Sequence, residues 1–300
     1  MSKFYFYNAY GLGIKSAIPF PELKSAESID FELVIQFYDS KSYTKITGTE
    51  DDFRLKFRSK SNIPVLWDGQ LIFRVINGKE IIINPDVSFN EIFLRSLILG
   101  QGMAVILHQR GHLLLHASAV NIEGGAVVFL GECGYGKSTI TVALNKRGYP
   151  LISDDVTVVN LEIKNEPVLI PSFSRIKLNN DIIKHINGPY GSFTQIHLDF
   201  EKHSFPAKNF FPYDSLPIKI IYILEKSQKN EIQPLKSQEK LINLIKNTYT
   251  QNILEYDEKA NNLFECENLI KNVLIKRLNV FHSLEKLEEL VSIVENDVIY

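Results

Sequence analysis

The chain is poor in the residues that would tie it to a metal or a disulfide framework. It has two cysteines, Cys133 and Cys266, far apart among 300 residues. No zinc-type spacing and no disulfide scaffold can be built from them. It also lacks an excess of charge of either sign: 33 Lys and Arg face 35 Asp and Glu, a formal net charge of −2. That excludes the basic footprint of a nucleic-acid binder. Charge runs such as Glu225-Lys226 and Glu285–Glu289 read as solvated faces. No long uninterrupted apolar run is present. The most apolar stretch, Ile92–Leu107, carries Arg95 and Gln101 and is expected to fall short of a membrane span. The polar-aromatic start, Met1–Tyr10, has none of the regions of a signal peptide. A cytoplasmic protein without nucleic-acid or membrane partners is the expectation. A 45% hydrophobic content with 23% charged residues is globular composition, enough to bury a sizeable core.

Along the chain, Phe31–Phe37, Phe53–Phe57, Leu71–Ile76 and Ile81–Ile83 are short and rich in β-branched or aromatic residues, as strands are. Asn77-Gly78 between the last two predicts a hairpin. Pro19, Pro21 and Pro64 exclude central-strand positions around themselves. Ser88 and Glu91 have the spacing of a helix capping box. The helix they open runs to about Leu107, with Gly111 as its stop and Gly100 and Gly102 as points of weakness or close approach. Leu113–Val120 and Ala126–Leu130 predict two buried strands around a turn at Asn121–Gly125. A helix over Ser138–Arg147 ends at Gly148. Leu151–Ser153 is a very short strand, followed by strand-like Val156–Ile163, Val168–Ile170 and Ile218–Leu224. The rest reads as mostly helical: Glu239–Lys246, Asn261–Val273 and Leu284–Val294. The expected architecture is α/β, with a β-rich region over 1–87, a bridging helix over 88–111, a core over 112–230 and a mainly helical region over 231–300.

Gly131-Glu132-Cys133-Gly134-Tyr135-Gly136-Lys137-Ser138 satisfies Gly-x-x-x-x-Gly-Lys-Ser, and Thr139 follows it. Such a loop turns successive backbone N–H groups inward onto phosphate oxygens, which glycine permits, and the helix that starts there adds its positive dipole end. Lys137 reaches the outer phosphates and the Ser138 hydroxyl ligates magnesium. A buried strand before and a helix after are the context the motif requires, and Ala126–Leu130 and Ser138–Arg147 supply both. A nucleoside triphosphate with Mg2+ is the expected cofactor. Cys133 inside the loop reads as a small filler residue.

One helix later, Asp154-Asp155 closes the Leu151–Ser153 strand. Ligands of wound α/β sheets sit outside the carboxyl ends of strands, so loop and acids are expected to face one nucleotide. One carboxylate can hold magnesium. The other can accept the proton of an attacking hydroxyl. Two like charges this close raise one pKa. The short gap argues against motor, transporter and switch proteins, in which the second acidic strand lies much farther along.

His116-Ala-Ser-Ala-Val, Ala126–Leu130, the phosphate loop and Lys146-Arg-Gly-Tyr-Pro-Leu-Ile-Ser-Asp-Asp155 together resemble the HPr kinase/phosphorylase family. That family has a His ahead of the loop, then Lys-Arg-Gly-His and an Asp-Asp pair after it. The resemblance implies a phosphate-loop kinase core similar to phosphoenolpyruvate carboxykinases, using ATP and Mg2+. Tyr10-Gly-Leu with Leu23 after Pro21, His116-Ala-Ser-Ala-Val, and Pro171-Ser-Phe-Ser-Arg-Ile-Lys-Leu178 look closer to the HPr-kinase-like proteins of lasso-peptide gene clusters. Those are understood to phosphorylate the C-terminal serine of a precursor peptide. The resemblance implies that His116 tunes the acid pair, that Asp154 and Asp155 supply base and metal contacts, and that Arg175 and Lys177 contact phosphate or the peptide carboxylate. The family's Gly-Arg-Asn stretch finds only Ala207-Lys-Asn209 here, so phosphorylase activity and HPr as substrate are not carried over. Family members form hexamers, which leaves a homo-oligomer open. The alternatives are a kinase of an HPr-like protein or of a small-molecule hydroxyl, and a non-catalytic nucleotide-binding module.

Overall fold

The structure, a computed structural model, describes residues 3–27, 30–38, 61–86, 90–162, 166–186, 194–195, 202–207, 214–249 and 256–300. The expected strand Phe53–Phe57 and the residues Ser88, Lys208 and Asn209 lie outside these. The fold is mixed α/β. The chain divides into two compact units, Met1–His112 and Leu113–Tyr300.

In the first unit, β1 (Tyr5–Ala9) and β2 (Leu12–Ser16) form a hairpin, followed by β3 (Lys24–Ser25), β4 (Leu33–Phe37), β5 (Asn62–Trp67), β6 (Gln70–Ile76) and β7 (Glu80–Ile83). They make one sheet in the order β3-β1-β2-β4-β7-β6-β5. Asn77 and Gly78 turn the β6–β7 hairpin with φ of 53° and 63°, a conformation Asn-Gly tolerates. Pro64 sits in β5, an edge strand, where a missing N–H costs no ladder bond. Helix α1 runs over Glu91–Gln109 with a π-helical turn at Ile98–Gly102. Its cap is Asn90, whose side chain accepts from Ile92 N–H at 2.9 Å. At Gly102 the helix lies so close to Phe73 and Ile81 that a Cβ would meet them at 3.2 Å. By length and composition α1 is apolar enough to cross a membrane, which the sequence reading set aside. However, 67% of that window is buried, as in a core helix. Its Arg95 is buried and pairs with Glu22 and Glu91, both at 3.0 Å.

The second unit opens with β8 (Leu113–Leu115), β9 (Ala117–Ile122), β10 (Gly125–Leu130), helix α2 (Lys137–Lys146), β11 (Leu151–Ser153), β12 (Thr157–Asn160), β13 (Val168–Ile170), β14 (Arg175–Asn179) and α3 (Asn180–Ile186). It continues with β15 (Thr194–Gln195), β16 (Lys202–Pro206), β17 (Leu216–Ser227), β18 (Glu231–Pro234), α4 (Ser237–Lys246), α5 (Tyr256–Asn272), β19 (Leu274–Phe281) and α6 (Leu287–Ile299). The expected single strand Leu113–Val120 is two strands. The chain changes partners at His116: β8 pairs with β12, while β9 pairs with β10 and β11. The region after 230 also holds two strands that the sequence reading missed. Of these, β19 runs parallel to β17 over eight residue pairs. Lys276 and Arg277 interrupt its apolar pattern, which hid it among helices.

The order β11-β9-β10-β17 continues to β19, with β10, β17 and β19 parallel and β9 antiparallel to both β10 and β11. One face of this sheet packs on α2 and α6 through Ile140, Leu144, Leu290, Val291 and Val294. The other face packs on α4 and α5 through Leu244, Cys266 and Leu269. Every residue of β10 is buried, which accounts for its unbroken apolar run. A separate small sheet, in the order β14-β16-β15, leans Ile176, Leu178 and Phe205 on Val142 of α2 and Leu151 of β11. Helix α2 ends at Gly148, where Tyr149 N–H reaches back to Leu144 O at 3.2 Å, the Schellman arrangement. Within the sheet core, Phe129 stacks on Tyr222 with ring centroids 5.9 Å apart. Truncation by Phe129→Ala is expected to cost about 3–5 kcal/mol, read as a lowered urea midpoint by circular dichroism.

Candidate functional site

Strand direction brings the site together. Because β9 runs antiparallel between β10 and β11, its first residues lie beside the last residues of both. Ala117 pairs with Leu130, and Ala119 with Ser153. The phosphate loop leaves the end of β10, the acid pair leaves the end of β11, and His116 and Ser118 stand at the start of β9. All four therefore share one edge of the sheet.

Gly131 presses against β17, where a Cβ would meet Leu224 Cβ and O at 3.2 Å. Gly136 precedes α2 with φ 98°, and no side chain caps this helix start. A helix start of this kind, with its dipole and first-turn N–H groups, suits an anion. Lys137 is buried, and its ammonium donates to the carbonyls of Gly131 at 2.6 Å and Glu132 at 3.2 Å. Tyr135 packs against the β17 side of the core, and Lys226 Nζ lies 5.1 Å from its ring centre. The Glu132 carboxylate raises the Tyr135 phenol pKa. His282, just past β19, donates its Nε2–H to the Gly134 carbonyl at 2.8 Å, which fixes its tautomer.

The acid pair sits on a tight turn: Val156 N–H bonds Asp154 O at 3.0 Å around Asp155, whose φ is 74°. Left-handed backbone at a non-glycine residue is strain of the kind found at functional sites. The turn sends the two carboxylates to different surroundings. Asp154 is buried, and its Oδ1 accepts from Ser118 Oγ at 2.6 Å and Ser138 Oγ at 2.9 Å. Its Oδ2 accepts from the Lys177 backbone N–H at 2.8 Å. Burial raises the Asp154 pKa, and these three donors oppose the rise. The like charge of Asp155 is a lesser cause, so burial, rather than the expected repulsion, leads.

Asp155 faces outward, with its side chain 27% exposed. It holds Lys177 Nζ at 2.8 Å and His116 Nε2 at 3.3 Å. Burial would raise its pKa, but the Lys177 ammonium and then His116 more than offset this and hold the carboxyl well below the usual range. Burial likewise opposes the Lys177 charge, and Asp155 more than restores it, leaving that pKa raised.

His116, Cys133, Gly134, Gly136, Lys137, Ser138, Thr139, Asp154, Asp155 and Lys177 all line one open cleft. Gly131, Glu132, Tyr135 and Arg175 do not. The first three belong to the loop's outer turn and its strand contact. Arg175 is two residues before Lys177 on β14 and so shares its strand face. Ser118, Asn179 and Ile182 line the cleft unpredicted. Alternation along a strand places Ser118 with His116 and Asn179 with Lys177, a signal the sequence did contain.

The described residues hold no cluster of three or more His, Cys, Asp or Glu for a metal. Magnesium does not need one. It keeps several waters and takes one or two carboxylates with phosphate oxygens. The hydroxyl of Ser138 and the carboxylate of Asp154, 2.9 Å apart, are hard oxygen donors that fit it.

The chain matches no family model. It is 39% identical over 70 residues to an HPr kinase/phosphorylase of Prosthecochloris aestuarii, covering 23% of this chain and 18% of that protein. Relatives with the same name in Chlorobium phaeobacteroides and Chlorobium limicola match at 38% over 61 residues and 35% over 74 residues, covering 20% and 25% of this chain. Over these stretches the chain is similar to HPr kinase/phosphorylases. The matched stretches span only 17–20% of the length of these relatives. Among solved structures, the Hpr(Ser) kinase/phosphatase of Coxiella burnetii aligns with 62% of this chain and 96% of its own, at 18% identity and a TM-score of 0.34.

The pairing of Asp155 with Lys177 has a consequence for pH dependence. The lowered Asp155 pKa contributes stability that is present above the unfolded carboxyl pKa of about 3.9 and lost as pH falls below it. Asp155→Asn keeps a residue that tolerates φ above zero but removes the partner of Lys177. It is expected to cost about 1–3 kcal/mol at pH 7. The gap to the unmodified protein should narrow below about pH 4 in urea titrations; a gap independent of pH would contradict the assignment.

Proposed function

We propose that the chain is an ATP- and magnesium-dependent kinase that transfers a phosphoryl group to a serine hydroxyl of a peptide, the C-terminal serine of a lasso-peptide precursor. The observation that carries this reading is the bond from Ser138 of the phosphate loop to Asp154, with Asp155 beside it in the same cleft. The HPr kinase/phosphorylase relatives support phosphoryl transfer. The stretches Tyr10-Gly-Leu, His116-Ala-Ser-Ala-Val and Pro171–Leu178 support the peptide acceptor. The reaction belongs in the cytoplasm, where ATP is at hand.

The loop N–H groups and the start of α2 cradle the phosphates. Lys137 exchanges the carbonyls of Gly131 and Glu132 for phosphate oxygens. Ser138 and Asp154 would hold magnesium, which would neutralise charge on the outer phosphates. Asp155 accepts a hydrogen bond from the acceptor serine, aligns it for in-line attack on the γ-phosphorus and takes its proton as the bond from that phosphorus to the ADP oxygen breaks and ADP leaves. A loose transition state asks for positioning more than for a strong base, which suits a carboxylate of low pKa. His116 orients Asp155. Lys177 supplies positive charge to the transferred group or to the peptide carboxylate, and Arg175 extends that charge along β14. A second reading, an HPr-like protein as acceptor, is favoured by the names of the relatives.

Mass spectrometry of peptides ending in serine, incubated with the protein, ATP and magnesium, tests the proposal. The expected product carries one added phosphate on the terminal serine. Lys137→Ala and Asp155→Asn should each lower the rate at least about a hundredfold while circular dichroism stays native. Full turnover in both variants, or phosphate on an HPr-like protein alone, would overturn it.

A further inference from the structure

His116 stands at a break. The chain leaves β8 and enters β9 there, and the two strands pair with different neighbours. Neither strand's ladder therefore fixes the His116 peptide unit. The segment Asn247–Tyr249, which closes α4 some 130 residues later, supplies what is missing. His116 N–H donates to Asn247 O at 2.8 Å, and Tyr249 N–H donates to Leu114 O at 2.9 Å. Leu115 and Thr248 form an antiparallel bridge between them. The Tyr249 ring meets the His116 imidazole edge to face, with centroids 6.0 Å apart and planes at 74°.

The segment is itself anchored. Asn247 N–H reaches Asn243 O and Leu244 O at the end of α4. Asn247 and Thr248 are buried, and the Thr248 hydroxyl is shared between Leu244 O and Asn262 Oδ1 of α5. The His116 side chain is 38% exposed, and its Nε2 lies 3.3 Å from Asp155 Oδ1. It also meets the Tyr249 ring, whose backbone is held by the α4–α5 scaffold.

We propose that Tyr249 is a positioning residue that aims the His116 imidazole at Asp155, so that the helices after β18 take part in the chemistry of the cleft. This rests on the kinase reading above. Edge-to-face contact restricts the ring's rotation about its side-chain bonds, and small misplacements of a group that orients another are costly in rate. Tyr249 does not line the cleft that holds the phosphate loop and the acids, so nucleotide binding should not depend on it.

The test uses the full chain in two arms. In the first, transfer from ATP to a peptide ending in serine is followed for Tyr249→Ala, Tyr249→Phe, His116→Ala and the Tyr249→Ala/His116→Ala double variant. Tyr249→Ala should lower kcat by about tenfold to a hundredfold with KM for ATP unchanged, and Tyr249→Phe, which keeps the ring, should restore it. The double variant should be no slower than His116→Ala alone, because the tyrosine acts through the histidine. Additive losses, or a rise in KM for ATP with kcat unchanged, would overturn the proposal.

The second arm is independent of activity and separates failure of this proposal from failure of the kinase reading. In side-chain nitrogen NMR spectra, the His116 ring signals should shift in Tyr249→Ala and stay near their original place in Tyr249→Phe. Unmoved His116 signals in Tyr249→Ala would sink the positioning role, whatever the acceptor proves to be.

Discussion

The site depends on one buried carboxylate. Asp154 accepts from Ser118 at the start of β9, from Ser138 at the start of α2 and from the backbone of Lys177 on β14. Those donors belong to three elements that are distant in sequence. A buried charge is tolerated only where hydrogen bonds replace its lost water. Each donor is thus held in place by the need to satisfy Asp154, and each in turn holds Asp154 beside the phosphate loop. The bond to Ser138 joins the two oxygen atoms that a magnesium ion would take.

The neighbouring Asp155 shows what the fold gains from placing two acids on a strained turn. A positive φ at Asp155 lets adjacent residues face opposite ways. One carboxylate sinks toward the strands, where burial raises its pKa. The other meets Lys177 and His116 and stays ionised. Identical side chains thereby take distinct electrostatic characters, one suited to a cation and one to a hydroxyl. Environment, rather than mutual repulsion, sets the difference.

Much of this was readable from residues alone, for physical reasons. Gly131–Ser138 needs glycine where the backbone presses on Leu224 and where α2 begins. Asn77-Gly78 and Gly148 needed φ above zero, and each marks a turn or a helix end. What escaped was set by distant partners. The run Leu113–Val120 is apolar apart from His116 and Ser118, and neither of them shows locally that the chain switches neighbours at His116. The cap of α1 is Asn90, whose side chain meets the Ile92 N–H, while Ser88, the residue expected from its spacing to Glu91, lies outside the described residues. Leu274–Phe281 lies among helices and carries Lys276 and Arg277, so only its pairing with β17 makes it a strand. Lys177 was singled out by resemblance, but its two bonds to the acid pair come from the path of β14 past β11. Arg175, singled out with it, lies outside the cleft. Ser118 was overlooked although it alternates with His116.

The most direct measurement is a crystal structure of the full chain with magnesium and a non-hydrolysable ATP analogue. The expected result has the metal between Ser138 Oγ and the Asp154 carboxylate, Lys137 Nζ moved from the Gly131 carbonyl to a phosphate oxygen, and Asp155 facing open space next to the terminal phosphate. A nucleotide bound away from Gly131–Ser138, or bound there with no metal at Ser138 and Asp154 at saturating magnesium, would contradict it.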